Sequence, residues 1–433
     1  MRTQPSSGAA SPGGLAPYAW VTLLLAFTTT ALVFGIWFSF AVFFVAMVET
    51  FHWSRGAAAL AFSVGSLLQA GLSPLVGVLT DRWGPRALIS AGLLLSAAAL
   101  AACSQVQALA HLIVFFGFGV GTGVLLAGPV THSALLAAWF IHRRGALIGL
   151  AFAGMGLGVK ALGPLAQYLI AHVGWRSSFL VLAALTAGYG LLVAFALRNT
   201  PYELGLRPYG AAPEAKLDPP SSLRSAAPPP ATVAGALRER AFWALFLAQV
   251  LIPLGIFPVS VHQVAYLADL GFSKTFAAAI LGHMGLMSSC GRILFGALSD
   301  RLGRFGGVTL SVLCSQLGIV LLLLMRDASA TWPLYLYALF FGLGYGARGP
   351  IISALAADLF AGRHFGTIFG LISIGHGIGG ALGPWFGGYV YDRFGSYRPA
   401  FAVALVVLCG VVGCLWVATR RLAYRAKPAH ADS

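Results

Sequence analysis

Gly77-Val-Leu-Thr-Asp81-Arg82-Trp-Gly84-Pro-Arg86 stands in the first half of the chain, and Gly296-Ala-Leu-Ser-Asp300-Arg301-Leu-Gly303-Arg304 repeats its pattern in the second. Each copy closes an apolar run long enough to cross a bilayer. Asp300 lies 219 residues after Asp81. A second matched pair, Ala161-Leu162-Gly163-Pro164 and Ala381-Leu382-Gly383-Pro384, is offset by 220. One polar, arginine-rich turn is an ordinary loop; two at a constant offset read as a duplicated unit.

The runs around these loops define the class. The chain has 433 residues, 58% hydrophobic and 9% charged, with a mean hydropathy of +0.85. Soluble domains carry roughly 25% charged residues. Apolar stretches of this length can satisfy their backbone polar groups in lipid only as helices. Spans are expected near 17 to 47, 56 to 80, 86 to 106, 111 to 140, 145 to 172 and 176 to 197. Six more follow near 241 to 268, 274 to 298, 305 to 325, 333 to 358, 364 to 391 and 398 to 419. The expectation is an all-α membrane protein with twelve transmembrane helices in two pseudo-symmetric bundles, 17–197 and 241–419. Between them, 198–240 holds Pro201, Pro208, Pro213, Pro219, Pro220 and Pro228 to Pro230 with four of the twelve acids, and reads as a cytoplasmic linker. Residues 1–16 and 420–433 read as cytoplasmic tails.

The net charge of +15 does not point to nucleic acid, because the basic residues are spread over short loops. With both termini cytoplasmic, 18 of the 27 Lys and Arg fall on the cytoplasmic side, six outside and three within spans. That bias predicts a multi-pass plasma-membrane protein, as in a bacterial inner membrane, with both termini inside. The first apolar run is too long for a signal peptide. Cys103, Cys290, Cys314, Cys409 and Cys414 lie in apolar spans without CxxC spacing, so neither a disulfide framework nor a metal site is expected, and no cofactor motif is present.

The three cations within spans are Lys160, Arg292 and Arg348, and all twelve acids lie at span ends or in loops. Each central cation costs roughly 2.5 to 3.5 kcal/mol on insertion scales. A water-filled cavity whose substrate is an anion would supply the missing counter-charge. Arg292 has the planar fork for a carboxylate, and Lys160 is a point charge. The alternatives are snorkelling for Arg292 and capping of loosened carbonyls for Arg348, which stands among Gly344, Gly346, Gly349 and Pro350. His376 and His283 lie mid-span and are candidates for proton uptake or for hydrogen-bonded core positions; His132 reads as structural. Trp37, Phe38, Phe40, Phe44 and Tyr345 are candidate cavity walls or packing aromatics. In the loop motif, Gly77 and Gly296 would let helices approach, and Asp81 and Asp300 would pair with arginine or accept from a helix N-terminus as a conformational latch, with Arg82, Gly84, Arg86, Arg301, Gly303 and Arg304 as its other members.

The doubled GxxxDRxGxR pattern on a six-plus-six layout resembles the major facilitator superfamily over essentially the whole chain. Within it, Phe38-Ser-Phe-Ala-Val-Phe-Phe44 and Glu49-Thr-Phe51-His-Trp53-Ser54-Arg55-Gly56 are similar to the first helix and the following turn of the monocarboxylate transporter and oxalate/formate antiporter group. Trp139-Phe140-Ile-His142-Arg143-Arg144, leading into span 5, and Tyr202-Glu203-Leu-Gly205-Leu-Arg207-Pro208 resemble that group too. The resemblance implies that Arg292, eight residues before Asp300, binds a carboxylate. Monocarboxylate transporters have an Asp where this chain has Ser288, so their proton-linked pair is absent. His376 is the nearest match to the helix-11 Lys of oxalate transporters. The expected function is gradient-driven transport of small mono- or dicarboxylates, with protons or a counter-anion as co-substrate, by a monomer in a lipid bilayer. An exporter of another solute such as a drug, or a transporter-like sensor, is the alternative; no acid/base pair suggests an enzyme.

Overall fold

The computed structural model describes residues 17–141, 143–210, 232–360 and 365–425, without the side chains of Pro17, Asp300, Pro350 and 420–425. The expected tails 1–16 and 426–433, the linker stretch 211–231 and His142 lie outside the described residues.

The described chain is helical, apart from one isolated bridge between Phe140 and Tyr209. Eleven helices are long and apolar enough to cross a membrane. One of them, Arg144–Ala196, has 53 residues. At 1.5 Å per residue that is about 80 Å, more than twice a hydrocarbon core of about 30 Å. Its backbone breaks at Gly174 (φ 75°, ψ 162°), a region that residues with a Cβ avoid, so it is two antiparallel spans. Twelve spans result. They are α1 Pro17–Phe51, α2 Arg55–Trp83, α3 Pro85–Cys103, α4 Leu109–Trp139, α5 144–173, α6 175–196, α7 Arg240–Asp269, α8 274–302, α9 304–324, α10 Trp332–Phe360, α11 Phe365–Phe394 and α12 Arg398–Arg425.

The α8–α9 turn has the same origin as the α5–α6 break. Gly303, at φ 78°, occupies in the second loop motif the place that Gly84, at φ 82°, has in the first. Gly84 and Gly303 are therefore turn residues by backbone necessity. The basic ends of the motif tie each turn to its own half. Arg86 Nε donates to Ala194 O at 2.9 Å and Arg86 N to Asn199 Oδ1 at 2.9 Å, closing the end of α6. Arg304 Nε meets Asp358 Oδ2 of α10 at 3.3 Å. Asp81 and Arg82 are exposed, and the Asp300 side chain is not among those described.

The first part of the expected linker is held against the first half. Pro201 is buried, Tyr209 N donates to Trp139 O at 2.9 Å, and Ile141 N donates to Tyr209 O at 2.9 Å. The segment is laid along the α4–α5 connection by backbone hydrogen bonds, which need no apolar core.

The two halves meet along two seams, α2 against α11 and α5 against α8. At the end of the molecule far from the start of α1 the first seam is tight. A Cβ on Gly388 would lie 2.5 Å from the Arg55 carbonyl, and one on Gly56 3.0 Å from Asp392. Contact continues along α2 to Ala70, which faces Gly377, and along α5 to Gly156, which faces Gly285. Helical geometry returns the same face every seven or eleven residues. On these faces Gly77 follows Ala70, Gly370 and Gly366 precede Gly377, Gly149 and Gly145 precede Gly156, and Gly296 follows Gly285. A Cβ at any of those six would meet nothing within 4 Å. Both seams part towards the end that carries the start of α1. The close helix approach expected at Gly77 and Gly296 is absent in this conformation for that reason.

Candidate functional site

Where the seams part, α1, α5, α8 and α10 enclose a small cavity. Phe34 and Phe38 enter from α1, Met155, Gly156 and Val159 from α5, Met284, Gly285, Ser288 and Arg292 from α8, and Tyr345 from α10. The lining is apolar or aromatic except for Ser288, Arg292 and the Tyr345 hydroxyl. Phe38 packs edge-on against Tyr345 at 6.2 Å and against Phe257 at 6.5 Å, so aromatic contacts cross between halves at this level.

Arg292 is partly buried and uses one nitrogen on the opposite half, donating from Nη1 to Phe152 O at 3.3 Å. Ser289 Oγ donates beside it to Ala153 O at 2.6 Å. Ser288 Oγ donates to Gly285 O at 2.7 Å, leaving its lone pairs but no hydrogen for a solute. Among the described residues the ion pairs all lie at helix ends, and no carboxylate reaches Arg292. A guanidinium in a low-dielectric cavity, with donors left unpaired among the described residues, has the fork geometry that matches a carboxylate.

The remaining candidates from the sequence are distributed around this cavity. Lys160 stands between α5 and α8 outside the cavity lining, with Nζ 3.3 Å from both His283 ring nitrogens. His283 Nδ1 is 2.7 Å from Ala279 O and therefore holds its proton there, so Nε2 accepts from Lys160. A Cβ at Gly282 would lie 3.1 Å from the Lys160 carbonyl oxygen and 3.3 Å from its Cα and Cδ, so the glycine lets α8 come close to α5 at Lys160. Tyr335 flanks the imidazole at 5.5 Å. Arg348 is 1% exposed and faces α9, donating from Nη2 to Ser315 Oγ at 2.6 Å and to Ser311 O at 3.4 Å. Its Nε and Nη1 have no partner among the described residues. Trp37 is packed at 4.4 Å on Phe62 and 5.5 Å on Phe116 inside the first half. His376 is exposed although it sits mid-helix. It neighbours Gly377 and Gly380, which face α2, and Phe257 of α7 lies 6.0 Å away, so it looks into the space between the halves. Arg292, Ser288 and Tyr345 are thus brought together; Lys160, Arg348 and Trp37 are not part of that group.

Sequence reading missed the charged group that closes the far end. Arg55 at the start of α2 holds Asp269 at the end of α7 through two hydrogen bonds of 2.6 and 2.9 Å. Its guanidinium lies 3.7 Å from the Tyr391 ring centroid and donates to Tyr397 Oη at 3.0 Å. Burial raises the Tyr397 phenol well above its usual range, so this oxygen accepts as a neutral hydroxyl. Asp392 of α11 takes the first two N–H groups of α2, Arg55 N at 2.8 Å and Gly56 N at 2.7 Å, and so caps a helix of the other half. Lys274 at the start of α8 meets Glu49 near the end of α1 at 2.5 Å. The two ion pairs are images of each other under the repeat, since Asp269 is 220 residues after Glu49 and Lys274 is 219 after Arg55. That offset was present in the sequence and could have exposed them.

The sequence family described as Major Facilitator Superfamily matches residues 25–327 and 304–432. Monocarboxylate transporter 13 of Bos taurus is 32% identical over 399 residues, spanning 92% of this chain and 88% of its own. Monocarboxylate transporter 4 of Mus musculus is 26% identical over 421 residues, spanning 95% and 86%. Among solved structures, a bacterial homolog to the human lysosomal transporter Spinster, in an inward-facing and unoccupied conformation, superposes with a TM-score of 0.69 at 17% identity, covering 95% of this chain and 97% of that one.

Proposed function

The chain belongs to the major facilitator superfamily and is related to monocarboxylate transporters, and from that premise we propose that it moves a small monocarboxylate across the membrane by alternating access, with Arg292 receiving the carboxylate. It is a transporter and not an enzyme. The observation that carries the substrate reading is the cavity lining, in which one guanidinium faces aromatic and thioether walls and, among the described residues, no carboxylate answers it.

Arg292 is the one cation in the cavity lining, and one cation suits one negative charge; Lys160 and Arg348 keep their charge but lie outside the lining, which favours a monoanion with an apolar body over a dianion such as oxalate. The larger number of basic residues in the loops at the end carrying the start of α1 supports placing that end in the cytoplasm of the producing cell. The parted seams then correspond to an inward-facing state, closed outside by Arg55, Asp269, Asp392, Lys274 and Glu49. His376, exposed to the space between the halves, is the candidate for a proton carried with the substrate.

Uptake into proteoliposomes tests this. Pyruvate and lactate are expected to enter faster than oxalate, and Arg292→Ala is expected to abolish the difference from empty vesicles. Acceleration by an inward proton gradient identifies symport, and uptake only against a preloaded carboxylate identifies exchange. Carboxylate uptake that survives Arg292→Ala unchanged sinks the assignment.

A further inference from the structure

An open groove lies away from the cavity, between α7 and α12. Ala244 and Leu247 of α7 and Gly410, Gly413, Cys414 and Val417 of α12 form its floor and walls. The width comes from the small residues: a Cβ on Gly413 would meet nothing within 4 Å. Trp243 forms one wall, and its ring is fixed because Nε1 donates to Leu237 O at 2.9 Å. At the mouth stand Arg238 and Arg240, both exposed, where the short helix Val233–Leu237 turns into α7. Arg420, Arg421 and Arg425 follow Val417 within about two turns on α12. Glu239 lies between Arg238 and Arg240 in sequence.

We propose that this groove is a site for an anionic phospholipid, with one acyl chain against Gly410, Gly413 and Val417 and the phosphate between Arg238 and Arg240. The chemistry divides in the way such a lipid does. Below the mouth the lining is apolar apart from the Cys414 thiol, which suits an alkyl chain, and Arg238 and Arg240 sit together at one end of the groove, as a headgroup phosphate requires. An apolar peptide helix would leave the arginines at the mouth without a counter-charge, and a zwitterionic lipid would bring a second positive charge to them.

The full chain, purified in a mild detergent after exposure to equal phosphatidylglycerol and phosphatidylcholine, is examined by native mass spectrometry for retained lipid. Phosphatidylglycerol is expected to be enriched about tenfold, the order that one or two arginine contacts at a membrane surface provide. R238Q with R240Q is expected to remove the enrichment while leaving the two lipids equally retained. Gly413→Leu, which fills open space without displacing a neighbour, is expected to reduce retention of both. Equal retention by the unaltered protein overturns the proposal, as does an enrichment that persists in the arginine variant or retention unaffected by Gly413→Leu. A doubled mass with no bound lipid, abolished by Gly413→Leu, overturns it in favour of a second copy of this chain.

Discussion

Arg292 is the residue on which the transport reading turns, and its surroundings set the size of the expected effect. Hydrogen bonds to charged groups contribute about 1.5 to 3 kcal/mol, so losing the clamp is expected to lower uptake at limiting substrate by about 10- to 100-fold. Arg292→Lys keeps the charge but not the fork, and an intermediate rate in the same proteoliposome assay is the expected outcome. Because the side chain is only partly buried, neither change is expected to move the thermal unfolding midpoint by more than a few degrees. Lys160 should behave differently. Its partner is His283 across the α5–α8 seam, so Lys160→Met is expected to leave the preference among carboxylates intact while altering the turnover rate. A change of substrate preference in competition assays would place Lys160 in the cavity instead.

At the scale of elements, the turn glycines and the seam glycines make opposite predictions. Gly303 and Gly174 hold φ values of 78° and 75°, which a Cβ strains by about 1 to 3 kcal/mol, so Gly303→Ala or Gly174→Ala is expected to lower stability measurably in thermal unfolding. Gly77 and Gly296 are in open space here, so Gly77→Leu is expected to leave the unfolding midpoint near that of the unaltered chain. Transport should nevertheless fall, because the same face must pack when the parted end closes. Unimpaired uptake by a stably folded Gly77→Leu protein would show that the α2–α11 seam never shuts at that level. The position of these glycines in the motif was plain in the sequence. Which of them turn the chain and which line a moving seam depends on φ and on neighbours, and neither is visible in residue order.

For the molecule as a whole, the proposed alternation of access requires the contacts of the far-end closure to break once per cycle. Lys274 and Glu49 are exposed, and such pairs contribute about 0 to 1 kcal/mol. Arg55 is better held, by two oxygens of Asp269, an aromatic face and a phenol. Arg55→Ala is therefore expected to shift the population towards the state open at that end, seen as a longer spin-label distance between positions 52 and 396. Exchanging the partners, as Arg55→Asp with Asp269→Arg, is expected to restore part of the shorter distance; no restoration would mean that the contact to Tyr391 outweighs the ion pair. The sequence by itself determined that the chain is a twelve-span helical bundle in two related halves. Hydropathy and repeat spacing are local properties, and a bilayer leaves a helix as the one way to satisfy an apolar backbone. It also singled out Arg292 as a candidate, since a cation without a mate stands out in any apolar run. The fate of the other intramembrane cations was decided only by the tertiary structure. Lys160 and Arg348 have the same composition around them as Arg292, but helix rotation turns one towards His283 and the other towards Ser315. The direction in which a side chain points is set by packing between helices hundreds of residues apart.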